Sequence, residues 1–231
     1  MSKLLLLETA TEICSVAITE AAKIIAKVDA SENYAHTEKL TLLIEEVAQK
    51  AMIALKDLEA VAISKGPGSY TALRVGTSVA KGLCFALDLP LIAIDTLASL
   101  ADAAYQKIGN ENALYCPMID ARRMEVYAAL YDANGHIIQD QQAMIIDENS
   151  FHNYFKSGQP IIFCGNGAEK CKSVLTHPLA HFETTVCDAS NLRRLASNAY
   201  QQQQFEDLAY FVPIYGKAPN ITTSKKGKLR N

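Results

Sequence analysis

Short apolar runs separated by turns open the chain and predict a small antiparallel meander. The runs cover residues 3–8, 14–19 and 23–29, and each has the length of a buried or half-buried strand. Residues 36–55 then change to a helical period, with an apolar face wider than a single stripe. Three strands followed by a helix indicate a mixed sheet that is covered by helices.

The same order of elements returns in the second half of the chain. In both halves a strand ends in an acidic residue and is followed by a turn, a strand, a turn and a strand, which makes a weak internal repeat of about 110 residues. We therefore predict an α/β protein with two ribonuclease-H-like lobes of the actin-like (ASKHA) architecture, an N-terminal lobe at 1–106 and a C-terminal lobe at 107–231. The remaining predicted strands are 58–64, 91–94, 114–119, 125–131, 136–146, 160–164 and 182–187, and the remaining predicted helices are 71–87, 95–106, 149–155, 168–175 and 190–204.

Charge is distributed unevenly along the 231 residues. The net charge is −3, but the segment after Asp207 adds five basic residues and no acidic ones, so residues 1–216 carry −8. An acidic body argues against a protein that binds nucleic acid without a partner. We expect the basic tail from about 217 to be mobile.

The apolar runs are too short for a membrane span or a signal peptide, which predicts a cytoplasmic protein. The six cysteines have no paired spacing and are expected to be buried free thiols.

Two acidic residues end the first strand of each predicted lobe. Glu8 and Asp120 occupy positions where a carboxylate could hold a metal ion and a phosphate, as in a magnesium–nucleotide site. A carboxylate that caps a turn is the alternative. No glycine-rich hairpin follows Glu8, because residues 9–12 carry side chains where a phosphate-cradling loop needs bare backbone.

The loop at 65–70 is a second candidate contact for an anion or a nucleotide. Gly66, Gly68 and Ser69 lead into the predicted helix 71–87, so their N–H groups could face an anion. The alternative is an ordinary strand-to-helix turn in which Ser69 is the N-cap.

Several segments resemble one family closely. These are residues 64–94 (SKGPGSYTALRVGTSVAKGLCFALDLPLIAI), Glu8-Thr9, the HTEKL run at 36–40 and the DARRMEVY run at 120–127. Together they resemble the TsaB family, whose older name is YeaZ, over most of residues 1–130. The second half is more loosely similar, and Glu8 stands where the family commonly has Asp.

The resemblance implies a non-catalytic subunit for threonylcarbamoylation of adenosine 37 in tRNAs that read ANN codons. Such a subunit pairs with a TsaD-like catalytic paralogue, works with a TsaE-like ATPase, meets tRNA through the complex and forms a homodimer when alone. No tightly bound cofactor is implied, although ATP or ADP could lie at the subunit junction, near the 65–70 loop.

Metal-based catalysis is disfavoured by the residues themselves. The catalytic paralogue carries H-x-E-x-H just after a strand that resembles residues 90–94, whereas this chain has Thr96, Leu97, Ala98, Ser99 and Leu100 there. The pair His177 and His181 has a clamp-like spacing but encloses Pro178, which disfavours a helix. We predict no metal site and no catalytic residues, although family members are sometimes labelled peptidases.

Two helices are candidates for the partner interface. The helix at 36–55 is apolar on more than one side, and the helix at 71–87 is rich in small residues, including Gly76 and Gly82, which would permit close approach of a second helix. The expected contacts are Leu40, Leu43, Ile44, Val47, Leu73, Gly76, Ser78, Val79 and Gly82. The alternatives are burial of both faces within the lobe, a homodimeric actin-like binding module, or a degenerate ATPase.

Overall fold

The structure is a computed structural model that describes residues 2–30 and 35–217. Lys225, Lys226, Lys228 and Arg230 of the basic tail lie outside the described residues, so the expected mobility of the tail stays a prediction. The strands are β1 Lys3–Glu8, β2 Cys14–Glu20, β3 Lys23–Ala30, β4 Ala60–Ser64, β5 Leu91–Ile94, β6 Leu114–Asp120, β7 Glu125–Tyr131, β8 Ile137–Ile145, β9 Ile161–Cys164 and β10 Ala180–Glu183. The helices are α1 Ala35–Ala51, α2 Tyr70–Leu87, α3 Thr96–Ile108, α4 His152–Lys156 and α5 Arg193–Gln201.

The strands form two five-stranded mixed sheets with matching topology. The first has the order β3-β2-β1-β4-β5 and the second has the order β10-β9-β6-β7-β8. In each sheet a three-strand antiparallel meander is continued by two parallel strands. The predicted repeat is therefore real, and the fold is the two-lobed α/β architecture expected from the sequence.

Helices cover both faces of each sheet. The helices α1 and α2 bury one face of the first sheet, and its other face is buried by the 3₁₀ turn Ala189–Leu192 and α5. The second sheet is covered on one face by α3 and on the other by α4 and the turn after β9. Both faces of each sheet are thus covered by other elements of the chain.

The two lobes exchange helices. Helix α3, which the predicted boundary at 106/107 assigns to the N-terminal lobe, packs Leu97, Leu100 and Ala104 against the second sheet. Conversely, Leu192 and Ala196 come from the C-terminal half and pack on the first sheet. The packing therefore crosses the predicted boundary in both directions.

The α1 residues predicted to contact a partner belong instead to the core of the first lobe. Leu40, Leu43, Ile44 and Val47 are all at most 6% exposed and pack against the first sheet. The helix has the breadth of apolar surface that the sequence indicated, but β2, β3 and α2 cover it. These four side chains are not available to a partner while the lobe stays folded.

Some predicted boundaries were wrong. The helix predicted at 36–55 ends at Ala51, and residues 55–57 form a separate 3₁₀ turn. The helix predicted at 168–175 is only the short 3₁₀ turn Glu169–Cys171, and the strand predicted at 182–187 lies at Ala180–Glu183. All six cysteines are free and buried.

Candidate functional site

Glu8, at the end of β1, is a fully buried carboxyl group. Its Oε1 accepts a hydrogen bond from the Ala10 N–H at 2.7 Å, and Ser64 also hydrogen-bonds the side chain. Its Oε2 has no hydrogen-bond partner among the described residues. Burial raises the pKa of this carboxyl from its ordinary value of 4.5 to about 7, and the nearby charge of Asp188 adds to the effect.

Asp120, the matching acid at the end of β6, lies in a very different environment. It is exposed, pairs with Lys170 and accepts the Arg122 N–H at 2.7 Å. Partial burial alone would raise its pKa, but the Lys170 hydrogen bond and the Arg122 N–H outweigh that effect and hold the pKa below its ordinary value. Within residues 2–30 and 35–217, no three His, Cys, Asp or Glu side chains converge as metal ligands.

The loop at 65–70 uses several of its N–H groups inside the chain. The Gly66 N–H donates to Thr96 Oγ1 at 3.1 Å, and the Ser69 N–H donates to the Ala10 carbonyl at 2.7 Å. Ser69 is the N-cap residue of α2, but its side chain makes no capping hydrogen bond. Gly68 packs so closely on the backbone of Ala10 that a Cβ there would lie 2.2 Å from the carbonyl oxygen. These contacts favour the strand-to-helix turn, and an anion contact at Gly66, Gly68 or Ser69 stays a prediction.

Helix α2 presents two different faces. Leu73 and Gly76 are buried, and a Cβ at Gly76 would lie 2.2 Å from Thr9 Oγ1. This glycine therefore allows α2 to pack closely against Thr9 within the lobe. Ser78 and Gly82 are exposed and Val79 is half-buried, and a Cβ at Gly82 would meet no described atom within 4 Å. Leu73 and Gly76 are therefore not part of an exposed interface, whereas Ser78 and Gly82 are accessible to one.

A C-terminal segment borders this exposed face of α2. We call residues 207–217 the strap. The Lys81 ammonium donates to the carbonyls of Ala209 and Phe211 at 3.0 and 3.2 Å, and the rings of Tyr70 and Tyr215 lie 4.5 Å apart. The strap therefore runs along α2 from its C-terminal half towards its N-terminus.

The strap alternates buried and exposed apolar side chains. Phe211 and Pro213 are buried, whereas Tyr210 and Val212 are 84% and 69% exposed. Phe85 of α2 is also 83% exposed. The sequence shows only an apolar run from Tyr210 to Tyr215, and both the alternation in burial and the contact with α2 depend on the tertiary fold.

The first residues of α3 occupy the position at which the catalytic paralogue carries H-x-E-x-H. In this chain most of them are buried and they are not metal ligands. Thr96, Leu97, Ser99 and Leu100 are at most 1% exposed, and the helix is capped by Asp95, which accepts the Ala98 N–H at 2.9 Å. Of the remaining candidate pair, His177 stacks on Phe155 with ring centroids 4.5 Å apart. Residues 177 and 181 do not share a helix.

A polar cavity of about 530 Å³ opens beside β5 and α5. Its lining includes Lys65, Asp95, Asn198, Gln202 and Glu206. Burial raises the pKa of Asp95, although its capping hydrogen bond and the charge of Lys65 oppose that shift.

Among the helices of the described residues, none has the length and apolar character needed to cross a membrane.

The known proteins that this chain is similar to are named for the threonylcarbamoyl modification of tRNA. A family model described as TsaD, tRNA N6-adenosine threonylcarbamoyltransferase, matches residues 23–224. The chain is 36% identical over 135 residues to the tRNA threonylcarbamoyladenosine biosynthesis protein TsaB of Escherichia coli strain K12, which covers 58% of this chain and 57% of that protein. The chain therefore spans little more than half the length of that curated relative.

Two further proteins match over more of their length. The TsaB protein of Buchnera aphidicola subsp. Schizaphis graminum is 31% identical over 172 residues, covering 73% of this chain and 80% of that protein. The solved structure of YeaZ from Pseudomonas aeruginosa superposes with a TM-score of 0.76 at 28% identity, covering 93% of this chain and all of that one. The similarity therefore extends over both lobes.

Proposed function

The chain belongs to the TsaB family, and on that premise we propose that it is the non-catalytic partner subunit of a complex that threonylcarbamoylates adenosine 37 of tRNAs reading ANN codons. In this proposal it pairs with a TsaD-like catalytic paralogue and increases the population of that subunit's active conformation. A TsaE-like ATPase and tRNA join through the complex. The chain acts in the cytoplasm.

One observation carries the proposal, which is the unpartnered face formed by α2 and the strap. Phe85, Tyr210 and Val212 are large apolar side chains that are more than two-thirds exposed, and Ser78 and Gly82 lie on the exposed side of the same helix. Large exposed apolar side chains on two neighbouring segments, here α2 and the strap, are typical of a protein interface. Gly82 costs helix stability, and no described neighbour within the chain requires a glycine there.

The start of α3 supports a role without catalysis by this chain. The positions that would hold the two imidazoles of a metal clamp are Thr96 and Leu100, and both side chains are buried against the second sheet or the 65–70 loop. A metal could not reach them without disruption of the fold. The catalytic chemistry is therefore assigned to the paralogue.

In this proposal nucleotide binds at the junction between subunits and not in a site formed by this chain alone. Glu8 is buried with an elevated pKa, and the N–H groups of Gly66 and Ser69 already have internal acceptors. These features weaken a phosphate cradle made by this chain alone, so ATP or ADP would need groups from the partner.

Reconstitution tests the proposal. Modified adenosine would be measured in tRNA with the TsaD-like protein, the TsaE-like ATPase and threonylcarbamoyl-AMP synthase, with and without this chain. We expect modification to require the chain, and a Ser78→Trp variant to lose both heterodimer formation and modification. Asn153→Trp places the same bulk on exposed α4 of the second lobe and should have no effect.

Two outcomes would contradict the proposal. Equal modification without the chain would remove the subunit role and favour a homodimeric binding module. A homodimer that persists when the paralogue is added would also favour the homodimeric binding module, since one face cannot bind both partners.

A further inference from the structure

One edge of the first sheet is only partly closed by the rest of the chain. Strand β5 is the last strand at that side and pairs in parallel with β4. The Lys65 N–H donates to the Ile94 carbonyl at 2.8 Å, so the even-numbered residues of β5 are the ones that bond to β4. The backbone groups of Leu91 and Ala93 therefore point to the outer edge.

The chain covers this edge at one residue and then turns away. The Glu206 N–H donates to the Leu91 carbonyl at 2.8 Å, as an isolated antiparallel bridge. The Gln204 N–H bonds instead to the Ala199 carbonyl at 2.9 Å, so the pairing does not continue to the next edge position. The N–H and C=O of Ala93 consequently have no partner within the described part of the chain.

The cavity of about 530 Å³ beside β5 and α5 opens at this unpaired backbone. Ala93 lines it together with Lys65, Asp95, Asn198 and Glu206. The volume lies within the range of pockets that hold small ligands. An unpaired strand edge in the wall of a cavity is the arrangement to which an extended peptide adds as a further strand.

Opposite charges stand at the two ends of this edge. The backbone of Glu206 lies level with Leu91, and that of Lys65 lies level with Asp95. Four residues of strand separate the two levels, which corresponds to about 13 Å. Neither Glu206 nor Lys65 has a side-chain hydrogen bond or ion pair to another described residue. Asp95, by contrast, already accepts the Ala98 N–H at the start of α3.

We propose that this cavity binds a free di- or tripeptide in extended form, parallel to β5. The N-terminal ammonium of the peptide faces Glu206, its backbone pairs with Ala93 and its C-terminal carboxylate faces Lys65. A charge-assisted contact at each end fixes the direction of the peptide. An extended tripeptide is about 10 Å long, and the two flexible side chains reach across the remaining distance.

Parallel addition suits the sheet, since β1, β4 and β5 already run in one direction. The inference goes beyond the proposed function and does not depend on it, because every residue that carries it lies within this chain.

Peptide binding to the full chain, measured by isothermal titration calorimetry, tests the proposal. Trialanine should bind one to one with a Kd below about 1 mM. N-acetyl-trialanine lacks the ammonium, and trialanine amide lacks the carboxylate. Each blocked peptide should bind roughly 10-fold more weakly, because one charge-assisted contact is lost.

Two single variants identify which end of the peptide meets which side chain. Lys65→Met should weaken trialanine binding about 10-fold but leave the affinity for trialanine amide unchanged. Glu206→Gln should weaken trialanine binding by a similar factor but leave the affinity for N-acetyl-trialanine unchanged. Tm should not change in either variant, because neither side chain has a described partner to lose. Lys56→Met and Glu148→Gln remove the same charges from exposed positions elsewhere and should alter none of these affinities.

Amide NMR spectra test the addition of a strand. On titration with trialanine the Ala93 N–H resonance should move downfield as this group gains an acceptor. The Ile92 N–H already faces β4, so its resonance should move little.

Three results would overturn the proposal. Trialanine could fail to bind, or it could bind no more tightly than the two blocked peptides. Alternatively, only one of the two blocked ends could matter, which would indicate the terminus of a longer partner chain instead of a free peptide. None of these results would bear on the subunit role, which is measured by tRNA modification.

Discussion

Replacement of Gly76 and of Gly82 by alanine should affect the isolated chain in opposite directions. Both glycines lie within α2, where alanine is favoured over glycine by about 0.5–1 kcal/mol. At Gly82 a Cβ meets no described atom within 4 Å, so Gly82→Ala should gain this stability in full and raise Tm by about 1–4 °C.

At Gly76 the added Cβ would lie 2.2 Å from Thr9 Oγ1 and 3.1 Å from Thr9 Cβ. A short, buried side chain cannot move far enough to remove both overlaps, and overpacking of this kind costs about 1–3 kcal/mol. The helix gain offsets part of that cost, so Gly76→Ala should lower the free energy of unfolding by about 1–2 kcal/mol. Thr9→Ala should restore part of the loss, because Thr9 Oγ1 has no described hydrogen-bond partner to leave unpaired.

Thermal unfolding of the isolated variants and affinity for the TsaD-like partner together check this reasoning. Because the proposed interface includes Gly82, one added methyl group there should weaken the heterodimer by about 1–3 kcal/mol, or roughly 5- to 150-fold in Kd, even though the isolated chain is more stable. A Gly82→Ala chain that unfolds earlier, or that binds its partner as tightly as the wild type, would refute the argument.

Three further results are expected. The pKa of Glu8 is about 7 in the fold and 4.5 in an exposed glutamate, so between these pH values the native state holds a proton that the unfolded state has lost. The free energy of unfolding should therefore fall by about 3 kcal/mol as pH rises from 4.5 to 7. Glu8→Gln should remove this pH dependence in denaturant titrations at several pH values. Leu97→Ala should cost about 2–5 kcal/mol in the same assay, with exposed Gln106→Ala nearly neutral, and a small effect at Leu97 would contradict the packing of α3 on the second sheet. Burial raises the pKa of Cys14 to about 12 and of Cys84 to about 11, so a thiol reagent should leave the native chain unmodified and label six cysteines after denaturation.

Local patterns predicted the strands and the repeat but not which helix covers which sheet. Residues 3–8 and 91–94 were read correctly because short apolar runs between turn residues have few other interpretations. The partner layers of α3 and α5 depend on contacts between distant segments, and nothing in the period of Leu97 or Ala196 identifies the sheet that each one meets.

The candidate site shows the same limit. Composition marked Gly76 and Gly82 as equivalent small residues, whereas one faces Thr9 and the other faces open space. The positive φ angles of Arg122 and Arg123 could not be anticipated either, because arginine carries no preference for that region. Conversely, the width of the apolar face of α1 was predicted correctly, but β2, β3 and α2 of the same lobe cover it instead of a partner.

The exchange of helices has a consequence for how the molecule unfolds. Release of α5 from the first sheet would expose Leu4, Leu6 and Ile92, and release of α3 would expose the face of the second sheet that contains Tyr115 and Ile162. Neither half of the sequence can therefore complete its own core, and a fragment cut near residue 106 should not fold independently. A single calorimetric transition, rather than one for each lobe, is the expected behaviour of such a chain. The same exchange of helices opposes a hinge-like motion of one lobe relative to the other.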